Sequence, residues 1–511
     1  MSMPAEMDKA SGRVGLKVLY LPKGNRAEYF RHFLLHGMQH EGWRIGVPCQ
    51  AAHKAAFKDI TAGGGQCFAL PDFTAPQDWE SDPAAASALD ARIAECERFS
   101  GVPANQLLLS GARNIGRGFS APNHLTSNSR LARHALSDNM ASARVLRRMF
   151  RFAFDLLDTM KPDIVIAGEW SSPLYYAIVL AARERGIKCA ANRNSKIVSG
   201  RFFWTSDLSM FNGRSRLAAE KLALAAAQVS GRAREQIEAF RNQPKTLGYV
   251  GEKWMRRDRR GLLGSHLPYL RIFASQTLAR LRGVPHSQPD PAIGMLVAQY
   301  RAAIMRSLCR GYFKSYGEEE LTKLRFVYFP LHKEGEVALT FQAPAWYDQA
   351  NTVRQLSASL PAGYVLLVRE HRSNHGDRPS RWYRELQRLP NVVLVDPFGS
   401  QFMFLRHAAL VVTENGTSGW EASILDKPVL SLAASHYDGV DLAHYVSDPS
   451  ELPAAMIELL SRPSAAASDV NARRIGWRID AEYAHSFSGE VSAIPEAVKS
   501  LTEHCELEFQ Q

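Results

Sequence analysis

No stretch of this 511-residue chain is apolar for the ~18–20 positions that a bilayer-crossing helix needs. The longest apolar run, LYYAIVLAA at 174–182, has nine residues and stops at Arg183. The opening segment, MSMPAEMDKASGRVG, has no apolar core behind its charges. A secretory signal is therefore not expected, and a cytoplasmic location follows. Cysteine is scarce, with six residues at 49, 67, 96, 189, 309 and 505, and no CxxC pair among them. That disfavours both a disulfide scaffold and a zinc ribbon. DxD is absent, the nearest spacing being Asp438-Gly-Val-Asp441. His332, His371 and His375 lie in expected strand-end loops, outside any helical HxxxH or HExxH pair, so no metal site is expected.

Acidic residues are outnumbered: 62 Lys and Arg stand against 51 Asp and Glu, a net charge of +11 and a pI of about 9.3. Excess positive charge draws phosphates, nucleic acids and anionic lipid alike. No nucleic-acid-binding motif accompanies it, so nucleic acid is not expected as a partner. At 46% hydrophobic and 22% charged the chain has ordinary globular composition.

Within it, short apolar runs alternate with helical patterns. LKVLYL (16–21), an amphipathic segment and RIGVPC (44–49) read as a βαβ unit, and residues 61–100 read as loops and short helices. A long helical pattern at about 126–160 leads to a buried strand at 163–168, then the helix SPLYYAIVLAARERG and the strand IKCAA (187–191). Residues 213–285 are helical in pattern and Arg-rich. Between 251 and 285 eight Lys or Arg face two acids, with Trp254, Leu262, Leu267, Tyr269 and Phe273 interleaved. That stretch reads as a solvated helical linker or as a basic amphipathic surface for an anionic inner-membrane face.

The second half is the more regular. Strands are expected at 325–331, 364–370, 391–396, 410–414 and 428–433, with a helix between each pair. Five apolar strands separated by four helices make a doubly wound parallel sheet. The expected class is α/β, with two Rossmann-like lobes and a helical basic middle. The expected divisions are 1–212 for an acceptor lobe, 213–320 for the connecting segment and 321–511 for a donor-binding lobe.

In such sheets ligands sit beyond the carboxyl ends of the strands, which selects the candidate residues. TENGTSGWEA (413–422) follows a strand and opens a helix. Gly416 and Gly419 suit close backbone approach, and Asn415, Thr417 and Ser418 supply donors beside free helix amides. Thr417 or Ser418 would equally serve as an ordinary N-cap. Glu421, in the first turn, suits ribose hydroxyls or the helix dipole. Arg369, His371 and Arg372 end another strand, where they can neutralise a diphosphate or protonate a leaving phosphate. His332 and Glu334 follow the strand ending Phe329-Pro330-Leu331. In the first half, Glu169 and the loop from Asn192 to Lys196 occupy the corresponding edge.

These residues resemble the bacterial capsule polysaccharide biosynthesis family, which includes transferases of the lipid-linked Kdo region. The resemblance is carried by Phe329-Pro330-Leu331, Asp348-Gln349, Arg369-Glu370-His371-Arg372, Asn415 through Ala422 and Asp426-Lys427-Pro428-Val429. It covers about residues 325–445. It implies a GT-B-type glycosyltransferase without an obligate metal or other cofactor, taking a nucleotide-sugar donor and a polysaccharide or glycolipid acceptor. It also implies that His371 contacts donor phosphate, that Gly416, Thr417, Ser418 and Gly419 hold it, and that Glu421 binds ribose. Arg372 stands where the family usually has proline, and Asp426 where it often has glycine. The general base is expected on the opposing lobe, at Glu169 or else Asp207. Two other readings stand beside this one: a nucleotide-sugar 2-epimerase and a non-catalytic partner of capsule assembly.

Overall fold

A computed structural model describes residues 15–22, 27–49, 51–73, 75–110, 140–245, 304–334, 336–376, 378–461 and 468–508, with 274 and 278 standing alone. The rest of the basic stretch 251–285, and the start of the helical pattern expected from 126, lie outside them.

Two separate sheets carry the fold, as the alternation of short apolar runs predicts. The first contains β1 (Lys17–Leu21), β2 (Arg44–Cys49), β3 (Gln66–Ala69), β4 (Ile164–Ala167), β5 (Lys188–Asn194), β6 (Arg201–Thr205) and β13 (Phe487–Ser488). Their order is β13-β6-β5-β4-β1-β2-β3. β5 through β3 run parallel, while β6 turns back antiparallel to β5 and β13 pairs antiparallel with β6. The second contains β7 (Phe326–Pro330), β8 (Val365–Arg369), β9 (Val392–Val395), β10 (Leu410–Thr413), β11 (Val429–Ser431) and β12 (His444–Tyr445). Its order is β12-β11-β10-β7-β8-β9, parallel throughout. Helices cover both faces, so strands such as IVIA and LVVT are buried at every position and read as unbroken apolar runs.

The stretch 61–100 departs from its expectation of loops and short helices. It holds β3 and the eighteen-residue helix Pro83–Ser100. Asp82 caps that helix by accepting from the Ala84 N–H, Pro83 opens it, and Gly101 closes it at φ 67°. Its inward face is Leu89, Ile93 and Cys96, set among alanines that obscure the periodicity.

The end of the chain also crosses over. Helix Ser468–Ala484 packs on the middle helices Gly213–Leu224 and Gly231–Asn242, and then β13 joins the first sheet. Helix Ile494–Glu508 lies against helix Ala27–His40 and β6, where the Trp204 indole N–H donates to Ala497 O at 3.0 Å. The last part of the expected segment 321–511 therefore belongs to the first sheet. Among the described residues no helix is long and apolar enough to cross a membrane.

Candidate functional site

β10, β7 and β8 are adjacent and parallel, so the residues following them share one edge. Those residues are Glu414 to Gly416, His332, and Glu370 to Arg372. Asp348 caps helix Gln349–Ser359 by accepting from the Ala350 and Asn351 N–H groups. The cap fixes Gln349 beside the β7 end, where its side-chain amide brackets the backbone of His332.

His332 is half-buried in the gap between β7 and β10. Its Nε2 lies 3.2 Å from Glu414 Oε2 and 3.4 Å from Thr413 Oγ1. Thr413 Oγ1 also accepts from the Gly416 N–H at 2.9 Å. Gly416 must lack a side chain, because a Cβ there would stand 2.9 Å from His332 Nε2 and 3.0 Å from Thr413 Oγ1. Burial, with the His371 charge second and Lys196 contributing, lowers the His332 pKa to about 4, against an opposing effect of Glu336. Glu414 is fully buried, and burial raises its pKa to about 8.

Gly416 is the N-cap of helix Thr417–Ile424, and no side chain caps it. Thr417 and Ser418 are half-buried members of its first turn. The Gly419 N–H donates to Gly416 O at 3.1 Å, and the Thr417 and Ser418 amides before it present partial positive charge at this edge. Gly419 has a different role: a Cβ would fall 2.0 Å from the Tyr437 hydroxyl, so this glycine serves packing on Tyr437 and not ligand approach. The Asn415 Nδ2 donates to Ala338 O at 3.0 Å and to Gln342 Oε1 at 3.2 Å. Asn415 thus ties the β10 turn to the segment 337–342 and does not point its amide at a ligand.

The two arginines hold protein backbone. Arg369 Nη2 donates to Pro397 O and Gly399 O, both at 2.8 Å. Arg372 donates to Pro397 O at 3.0 Å and Phe398 O at 3.1 Å. Both staple the loop after β9, which accounts for an arginine at 372 without a ligand. Glu421 is 1% exposed, accepts from Gln401 Nε2 at 2.8 Å, and has its pKa raised by burial to about 8. In this conformation its carboxyl faces the protein interior instead of a ribose.

Glu334 is likewise internal. It pairs with Arg378 Nη1 at 2.6 Å, and Arg378 Nε pairs with Glu370 Oε2 at 2.8 Å. The Arg378 guanidinium also lies 4.0 Å over the Trp382 ring. Glu370 in turn accepts the His371 N–H at 2.7 Å and the Tyr383 hydroxyl at 2.9 Å. This buried set anchors the backbone of His371, which is half-buried at the edge.

On the first sheet, Glu169 follows β4 and forms an ion pair with Arg193 Nη1 on β5. Asp207 is exposed, and its Oδ1 accepts from the Ser209 N–H at 2.8 Å within a turn. Glu169, Arg193 and Asp207 all act electrostatically on the buried Tyr176 hydroxyl. The Tyr176 ring stacks on Phe341 of the second half, with centroids 4.0 Å apart. Gln342 Nε2 donates to Ser209 O, so the Asn415 turn is linked through Gln342 to the Asp207 turn.

Lys196, in the loop between β5 and β6, acts electrostatically on both His332 and His436 and lowers the pKa of each. Its loop is held by the Ser195 hydroxyl, which accepts from the Ile197 and Val198 N–H groups. Sequence reading placed this loop in a ligand-binding position without singling out the lysine. It passed over Glu414 and Tyr176 altogether. A glutamate directly after a wholly apolar strand was the available signal for Glu414.

Two HxxxH spacings do lie on a helix, His32, His36 and His40 on Ala27–His40, with the His36 and His40 rings 4.4 Å apart. Among the described residues no three His, Cys, Asp or Glu side chains gather as a metal ion would need.

No family model and no curated protein matches this sequence. Solved structures do. The glycotransferase of kitacinnamycin is 15% identical, over 96% of this chain and 100% of that one, with a TM-score of 0.26. A UDP-GlcNAc 2-epimerase from Neisseria meningitidis bound to UDP-GlcNAc is 11% identical, over 96% and 100%, with a TM-score of 0.29. Thermosulfurimonas dismutans KpsC, a β-Kdo 2,7 transferase, is 12% identical, over 60% of this chain and 80% of that one, with a TM-score of 0.29. Glycosyltransferases and 2-epimerases thus both occur among the neighbours, at a level of likeness that decides nothing about activity.

Proposed function

We propose that this protein is a glycosyltransferase that moves a sugar from a nucleotide-sugar donor to a growing capsular or other surface polysaccharide. One observation carries the reading. His332, His371 and the start of helix Thr417–Ile424, which no side chain caps, share one sheet edge, and Lys196 after β5 acts on His332 electrostatically. Two imidazoles, an ammonium and backbone amides suit a dense anion, and the departing phosphate of a nucleotide sugar is one.

In this reading the donor phosphate lies before Thr417 and Ser418, against His371. Its developing charge is met by groups already in place, which lowers the barrier without reorganisation. The acceptor hydroxyl approaches from the first sheet, where Glu169 takes its proton and Arg193 orients that carboxylate. Bringing the two sheets together around the reactants excludes water and limits donor hydrolysis. The composition of 251–285 supports work at an anionic membrane face, which co-sedimentation with anionic vesicles at low and high salt tests.

The deciding experiment is calorimetry with CMP, UDP, GDP and their sugars. One nucleotide should bind, and His371→Ala and Lys196→Ala should each weaken it by about tenfold or more with the fold retained. Failure of every nucleotide to bind, or unchanged affinity in both variants, overturns the proposal. Product analysis without acceptor separates a transferase from a 2-epimerase, since only an epimerase converts the donor sugar alone.

A further inference from the structure

The edge described above contains a carboxyl group that phosphate binding does not need. Glu414 is 0% exposed and belongs to the turn between β10 and the Thr417 helix. Neither of its oxygens makes a well-formed hydrogen bond, and its near contact is His332 Nε2 at 3.2 Å. A carboxylate placed beside phosphate-binding amides opposes anion binding, unless it carries a proton. We propose that Glu414 and His332 form a buried relay that hands one proton to the donor's departing phosphate, with His332 the catalytic acid and Glu414 its proton store. The inference rests on the transferase reading and deepens it.

The geometry sets the direction of transfer. Glu414 meets the imidazole at Nε2, so a protonated Glu414 donates to an acceptor Nε2 and fixes the other tautomer, with hydrogen on Nδ1. Nε2 lies against Glu414 and Thr413, so Nδ1 is the nitrogen left to hand on a proton, and the side chain is 12% exposed. The charged neighbours of the pair act in both directions, and burial decides between them. His371 after β8 and Lys196 from the other sheet oppose an imidazolium, while Glu336 favours one more weakly than burial disfavours it. The Glu414 backbone N–H and, after it, Arg378 draw Glu414 toward the carboxylate, and burial outweighs both. The resting pair is therefore neutral and holds one transferable proton.

The step balances as follows. The bond from the anomeric carbon to the phosphate oxygen breaks, and its electron pair stays on that oxygen. The oxygen takes the Nδ1 proton, Nε2 takes the Glu414 proton, and Glu414 is left as carboxylate. The acceptor hydroxyl forms the new bond to the anomeric carbon and releases its proton on the opposite side. The pair is reset when Nδ1 takes a proton from solvent and Nε2 returns its proton to the buried Glu414. A terminal phosphate has a second pKa of about 6, so a singly protonated leaving group is chemically reasonable at neutral pH.

The test uses the full-length protein. In protein labelled with 15N-histidine, long-range nitrogen–proton spectra should show His332 neutral with hydrogen on Nδ1 from pH 5 to 8. Hydrogen on Nε2, or a midpoint near 6.5, overturns the relay without any variant. The second measurement is nucleotide release from whichever of the CMP, UDP or GDP sugars binds. Glu414→Gln keeps a donor for Nε2 and has no proton to give. It should bind the nucleotide within about threefold of wild type and turn over about 100-fold more slowly, and Glu414→Asp should recover part of the rate. Binding with unchanged turnover in Glu414→Gln overturns the relay alone. Absence of any nucleotide binding overturns the transferase reading and the relay with it.

Discussion

Gln349 closes both backbone positions of His332: its Oε1 accepts the His332 N–H at 2.7 Å, and its Nε2 donates to His332 O at 3.1 Å. A buried amide thus takes the place of a neighbouring strand for one residue. Gln349→Ala leaves a donor and an acceptor without partners and should cost about 1–3 kcal/mol in chemical denaturation. It should also weaken nucleotide binding severalfold by releasing the imidazole. Gln349→Glu keeps the acceptor and sets a second oxygen against the His332 carbonyl. It should fall between wild type and alanine in stability near neutral pH.

Arg378 lies between Glu334 and Glu370 with its side chain 2% exposed. Removing one partner from such a set leaves buried charge without compensation, so Arg378→Met should cost about 3–5 kcal/mol. Adding Glu334→Gln and Glu370→Gln to Arg378→Met should restore a good part of that loss, because the triple variant buries no unbalanced charge. Denaturant midpoints for the single and triple variants decide it. A triple variant no more stable than Arg378→Met would show that packing against Trp382, and not charge balance, is what Arg378 provides.

Glu421 makes stability depend on pH with a definite sign. An unfolded glutamate titrates at about 4.3, and burial raises the folded pKa to about 8. The stabilisation is fully present below the unfolded pKa. It declines between the two values by on the order of 1.4 kcal/mol per pH unit and is gone above the folded one. Glu414 contributes with the same sign. Glu421→Gln should flatten the decline between pH 5 and 8 by about half and be more stable than wild type at pH 8. A parallel decline in the variant would mean that Glu421 is ionised when folded.

The parallel sheet was plain in the sequence because each of β7 to β11 is a short apolar run closed by a turn. β6 (RFFWT) and the two-residue strands β12 and β13 are not, because alternation, brevity and an edge position leave no such run. The site was legible in part for a similar reason. In a parallel sheet the carboxyl ends of all strands share one edge, and the strong periodicity of the second half made that edge inferable for 332, 371 and 416. It could not show where side chains point. Arg369 and Arg372 turn toward the carbonyls of 397 and 399, and Glu421 turns inward to Gln401. Glu414 lies within a loop motif in the sequence, and only the fold shows that it is buried.

Asp426 stands at φ 57°, the left-handed region that glycine enters freely and other residues enter at a cost. This is the position where the capsule-type pattern often has glycine. Arg241 compensates: its Nη2 reaches Asp426 Oδ2 at 2.8 Å, while its Nε donates to Ile424 O. Asp426→Ala loses the pair and keeps the strain, so it should cost about 1–2 kcal/mol. Asp426→Gly loses the pair and relieves the strain, so it should stay within about 0.5 kcal/mol of wild type. Thermal unfolding of both variants measures the difference, and equal losses would remove the conformational argument.

The return of the chain to the first sheet makes the second half and its neighbour depend on one another. Phe487, Ile494, Ala497, Val498 and Leu501 share a core with Phe33 of helix Ala27–His40, Trp43 before β2 and Trp204 of β6. Truncation after Ala484 removes β13 and helix Ile494–Glu508, uncovers this core and takes the acceptor from the Trp204 indole. The truncated chain should therefore unfold in two steps, the first sheet at lower denaturant, with Trp43 and Trp204 fluorescence changing in the early step. Phe487→Ala is the milder probe of the same interface and should cost about 3–5 kcal/mol as a buried aromatic truncated to a cavity. A fragment limited to 321–511 should expose the apolar face of its last helix and associate through it. Cooperative, monomeric folding of that fragment would mean that the crossing adds nothing to either half, and the two sheets would then be independent units joined only by the chain.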